Sequence, residues 1–138
     1  LLHVAFGLFM LPKAAAILPC LSKTHRRHGR PSMPEFIYCF GYETPRQARN
    51  NDRHGWDDEN SHGLTIRAES EEGAMRWGRE VAERFIQLLL RDESISWKAL
   101  GFADWIEVAG GESRDMPVVQ DGEYPDYAPW LREQADDA

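Results

Sequence analysis

Residues 70–90 read SEEGAMRWGREVAERFIQLLL, and the spacing of apolar side chains in this stretch decides the fold. Ala74, Trp77, Gly78, Val81, Ala82, Phe85, Leu88 and Leu89 recur at intervals of three and four, which places them on one stripe of an α-helix. Arg76, Arg79, Glu80, Glu83 and Arg84 fall largely on the opposite side. Ser70 supplies an N-cap, and Glu71 and Glu72 occupy the first turn, where the helix dipole favours carboxylates. Small residues at 74, 78 and 82 let such a helix lie close against a sheet. Each of the glycines at 73 and 78 costs about 1 kcal/mol in propensity, so close packing has to offset them.

The flanking segments supply the sheet. Residues 35–43, EFIYCFGYE, set Phe36, Tyr38, Phe40 and Tyr42 on one face and Ile37, Cys39 and Gly41 on the other. Apolar residues on both faces predict an interior strand covered on each side. Leu64, Ile66 and Ala68 alternate with Thr65 and Arg67 in a strand over 63–68 with one buried face. Residues 95–108, ISWKALGFADWIEV, read as one long strand with a bulge at Gly101, and 116–119, MPVV, as a short one. The polar stretch 44–63, TPRQARNNDRHGWDDENSHG, has no apolar stripe and is expected to be mainly loop. Tyr124, Tyr127 and Trp130 are expected to dock as a cap on the core before an acidic tail frays over 132–138.

Together these segments predict an α+β fold: a small antiparallel sheet of three to four strands with one long amphipathic helix packed on one face, in a single domain over residues 33–131. The step from strand through the Ser70-capped helix to a strand containing Gly101, Trp105 and Glu107 resembles ferredoxin-like α+β proteins over about a third of the chain. That resemblance implies an architecture and no activity.

Charge divides the chain at Met33. Residues 1–32 carry Lys13, Lys23, Arg26, Arg27 and Arg30 and no acid, whereas the remaining 11 of the 16 basic residues and all 23 acidic ones lie beyond, a formal charge of −12. An acidic body argues against nucleic acid as a partner, because phosphate binding needs clustered Lys and Arg. The apolar run from Leu1 is broken by Pro12, Lys13 and Pro19, so it does not read as a membrane span. It reads as a non-domain segment, either translated sequence upstream of a start at Met33 or a cleaved targeting peptide. The first implies a cytoplasmic protein and the second an exported one. Cys20 and Cys39 fall on opposite sides of this boundary, and Cys39 is expected to be a reduced core thiol.

The chemistry-bearing stretch is HGWDDENSHG, residues 54–63. His54, Asp57, Asp58 and His62 are suitable ligands for a divalent transition metal and would make this loop the site of a metal-dependent enzyme. The spacing lacks HExxH and the alternating oxygen ligands of a calcium loop. A solvated turn is the competing expectation. No GxSxG, phosphate loop or dinucleotide fingerprint occurs, and Ser61 beside His62 makes no triad. No catalytic residue and no cofactor is therefore assigned. The preferred expectation is an acidic module that binds a basic protein, for example by neutralising a basic toxin or nuclease, through Trp56, Asp57, Asp58 and Glu59. Trp56 either anchors that partner or folds back on the sheet.

Overall fold

The structure is a computed structural model that describes residues 33–110 and 115–135. The expectations for residues 1–32, for Cys20 and for the last three residues of the tail lie outside the described residues. Strand β1 (Glu35–Tyr42) leads into helix α1 (Pro45–His54) and strand β2 (Asn60–Arg67). The long helix α2 (Glu71–Leu90) follows, then one turn of helix α3 (Trp97–Leu100), strands β3 (Asp104–Val108) and β4 (Val118–Gln120), and helix α4 (Ala128–Glu133). The sheet order is β3-β1-β2-β4. The architecture is the expected α+β one. Its three longer strands are antiparallel, and β4 adds a short parallel pairing to β2, which makes the sheet mixed.

Register follows from the aromatic alternation of β1. Phe36 lies opposite Ile66, Tyr38 opposite Leu64 and Phe40 opposite His62, so these pairs share the face that α2 covers. Phe36, Tyr38, Phe40, Tyr42, Leu64 and Ile66 are all buried there. Helix α2 presents Ala74, Gly78, Val81, Ala82 and Phe85 to them, with Ile86 in addition, while Leu88 and Leu89 are only partly covered. Gly78 sits directly on the Tyr38 ring: a Cβ there would lie 2.4 to 2.6 Å from its carbons. The strip of small residues thus brings the helix axis closer than any side chain at 78 permits.

The second face of β1 departs from expectation. Ile37 and Cys39 are only half-buried among the described residues, and Cys39, paired with Trp105 and Gly63, is a free thiol on the open face rather than in the core. Burial followed by the Glu107 carboxylate raises its pKa, which leaves it a weak nucleophile.

Three local expectations are also corrected. Residues 45–54 form a helix, because Thr44, Pro45 and Gln47 build a full capping box: the Gln47 amide donates to the Thr44 hydroxyl at 3.1 Å and the Thr44 amide donates to the Gln47 side chain at 2.9 Å. Gly55, with φ 70°, ends that helix in the left-handed region. Thr44 is fully buried, so Thr44→Ala should lower stability by about 1 to 2 kcal/mol in urea denaturation, with no change in sheet content.

The long strand over 95–108 is instead α3 followed by β3. Trp97 is buried with its indole N–H donating to the Gly41 carbonyl at 2.8 Å, and a helical turn is what lets it reach there. Gly101 closes that turn at φ 83°; it is a C-cap, not a bulge. At the other end, α4 runs on to Glu133 and Gln134 is buried, so the docked chain extends past the expected fraying point. Tyr127 and Trp130 cap the core as expected, whereas Tyr124 is half exposed and packs on Trp77.

Candidate functional site

The segment HGWDDENSHG is not one loop. His54 is the last residue of α1, residues 55–59 form a turn, and Asn60–Gly63 begin β2. The two histidines part company as a result. His54 is exposed at the helix end and stacks on Trp56, ring centroids 4.3 Å apart. His62 faces α2 with its side chain 9% exposed, stacked on Trp130 at 4.6 Å and 5° and set edge-on to Phe85. Its Nε2 shares a 2.8 Å hydrogen bond with the Tyr42 hydroxyl. Among the described residues no group of three or more His, Cys, Asp or Glu side chains is gathered where it could hold a metal ion. His54, Asp57, Asp58 and His62, the metal set read from the sequence, are therefore not brought together.

Burial is the main influence on His62 and lowers its pKa; Glu133, 3.9 Å away and well exposed, pulls weakly the other way. The folded state then takes up a proton less readily than the unfolded chain, whose histidine titrates near 6.5. Stability is full above that value and declines as the pH falls through it. The urea midpoint is expected to drop between about pH 7.5 and pH 5.5, and His62→Gln should flatten that slope. An unchanged slope in the variant would assign the decline to other groups.

Residues 56–59 are exposed, with Trp56 at 53%. The turn is nonetheless fixed. The Asn51 side-chain amide donates to the Asp58 carbonyl at 2.9 Å and to the Glu43 carboxylate at 2.7 Å, while its oxygen accepts from the Asp58 amide at 3.0 Å. The Gly55 amide returns to the Asn51 carbonyl at 2.8 Å. One asparagine thus clasps both limbs of the turn. A second polar chain runs from Gln47 through Asn60 to Gln134, at 2.8 and 3.0 Å, and ties α1, β2 and α4 together beneath it. Trp56 rests against His54 at the rim instead of folding back on the sheet, and Asp57, Asp58 and Glu59 follow it on the same exposed turn.

A second constellation, not expected from the sequence, lies on the same α2-covered face, toward the β3 edge. The Tyr38 hydroxyl donates to Asp104 Oδ2 at 2.8 Å, and Arg79 binds the same carboxylate in a fork at 2.8 and 3.3 Å. Burial pushes the Asp104 carboxyl up, but Arg79 and Tyr38 together outweigh it and hold the group below the usual carboxylate range. Tyr38 is pushed far above its ordinary value, by burial first and then by the Asp104 hydrogen bond, so it stays a neutral donor. Beside this group an open cleft of about 580 Å³ runs between α2 and β3, floored by Met75 and Ile106 and edged by Arg76, Arg79, Lys98 and three glutamates. Its cations are largely spent, Arg79 on Asp104 and Lys98 on Glu80. The cleft thus offers a small anion little unmatched charge. Only the i to i+3 spacing of α2 and the register of β3 bring these residues together, and no linear motif announces them.

No protein-family model matches the chain, and no curated protein or solved structure is significantly similar to it. Among the described residues no helix is long and apolar enough to cross a membrane.

Proposed function

We propose that the chain is a non-enzymatic, acidic protein-binding module whose contact surface is the turn carrying Trp56, Asp57, Asp58 and Glu59. The observation that carries this reading is the combination at one turn of an exposed tryptophan and a rigid clasp. Association costs free energy to order side chains and loops, and a turn already held by Asn51 avoids much of that cost. Tryptophan is among the residues most often found as binding anchors, and here three acids follow it in the same exposed turn, where their charge steers a basic partner. The −12 formal charge of residues 33–138 extends the same field over the body of the molecule. The partner that fits is a protein with a basic rim around an apolar depression able to take an indole. The free thiol at Cys39 is in keeping with a reducing, cytoplasmic setting.

Capture experiments test this. The immobilised chain, its Trp56→Ala form and its Asp57→Lys/Asp58→Lys form are each exposed to lysate of the source cells at low and at high salt. A basic protein retained by the parent, depleted by both variants and released by salt is the expected outcome. The same set of proteins on all three supports would contradict the assignment.

A further inference from the structure

We infer that the chain self-associates through the outer edge of β3, two copies pairing antiparallel about a two-fold axis at Ile106 to join their sheets. Strand β3 ends the sheet, with β1 on its inner side. The Gly41 amide donates to the Ala103 carbonyl and the Ala109 amide to the Glu35 carbonyl, so residues 103 and 109 aim their backbone at β1. Alternation along an antiparallel strand then turns the amides and carbonyls of Asp104, Ile106 and Val108 outward. Among the described residues no second strand pairs with that side of β3. Natural edges are commonly blunted by lysine or proline, and DWIEV contains neither. The opposite edge, β4, is only three residues long and is the lesser template.

The residue pattern of β3 suits pairing with a second copy in one register. With five-residue overlap, Ile106 faces the partner's Ile106, Asp104 faces the partner's Val108, and Trp105 faces the partner's Glu107. All three outward-facing residues then fall in hydrogen-bonded positions, and no acid opposes an acid. Sliding the strands so that Glu107 becomes the centre sets it against the partner's Glu107 and shortens the overlap, which penalises that register. The side chains exposed along this edge are the ones the pairing would cover: Trp105 is 47% and Val108 69% exposed. The cleft floored by Met75 and Ile106 opens beside the same edge, so the partner's Ile106 and Val108 extend its apolar floor. This inference uses none of the residues of the Trp56 turn and stands apart from the proposed binding function.

Sedimentation equilibrium of the full chain under reducing conditions, over about 10 to 500 µM to bracket a weak dimer, reads the association directly. The expected mass at the upper end approaches twice the 15.8 kDa of the monomer. Val108→Glu sets a like charge against the partner's Asp104 at both symmetric positions and should raise the dissociation constant about tenfold. Val108→Lys sets an opposite charge there and should keep or tighten the dimer. Val108 is mostly exposed, so both variants retain the monomer fold, which circular dichroism checks. A monomeric mass throughout would overturn the inference, as would a dimer that responds equally to the Glu and Lys substitutions.

Discussion

Phe85→Ala is expected to destabilise the protein by about 4 kcal/mol, the largest effect of any single truncation considered. Phe85 is fully buried and its ring meets Tyr42 at 5.0 Å, His62 at 5.2 Å, Trp130 at 5.6 Å and Phe40 at 5.8 Å. These four come from β1, β2 and α4, so the ring is the point at which three elements converge on α2. Neighbouring aromatic rings are too stiff to collapse into the space left behind, and the cavity adds its own cost to the lost burial. Chemical denaturation in urea should show the midpoint falling with little change in slope. A loss near 1 kcal/mol would mean that the aromatic cluster relaxes around the hole.

Gly78→Ala is expected to destabilise by about 2 kcal/mol, although alanine is the better helix former. Propensity returns about 1 kcal/mol, while overpacking costs up to about 3 kcal/mol. Geometry decides which term wins. The new methyl would lie 2.4 to 2.6 Å from three carbons of the Tyr38 ring, which is fully buried and pinned at its hydroxyl by Asp104. The ring has no room to retreat without breaking that bond. A neutral or stabilising Gly78→Ala, measured by the same urea titration, would contradict the close approach of α2 to the sheet.

The contrast between these two residues shows what the sequence makes legible. Phe85 and Gly78 stand out because α2 has the sharpest periodicity in the chain, and the 20-residue helix found there has the expected bounds. The aromatic face of β1 was legible for the same reason. Helix α1 was not, because a search for an apolar stripe passes over a helix with no buried residue. Its signal lay in Thr44, Pro45 and Gln47 and in Gly55 beyond the end, which is capping chemistry and not periodicity. At 95–103 the reverse holds: alternating apolar residues imitate a strand, but burying Trp97 against Gly41 outweighs the local pattern.

The candidate site divides along the same line. Composition marked the turn around Trp56 as acidic and aromatic, and the turn's exposure is consistent with that pattern. The clasp by Asn51 depends on α1, so it came into view only with that helix. His54 and His62 look equivalent in the sequence, yet strand alternation sends His62 under α2 beside Tyr42 while His54 stays at the surface. Ligand residue types gathered in one polar stretch of sequence are separated in space once β2 begins at Asn60.

The measurement that bears most directly on the binding assignment is the affinity of the captured partner for the parent chain and for Trp56→Ala, read by titration calorimetry at fixed salt. An exposed anchor leaves the fold intact when truncated, so the two proteins should unfold at the same urea concentration. The dissociation constant should nevertheless rise tenfold or more, about 1.4 kcal/mol or above. Equal affinities with equal stability would place the contact elsewhere and contradict the role given to the Trp56 turn.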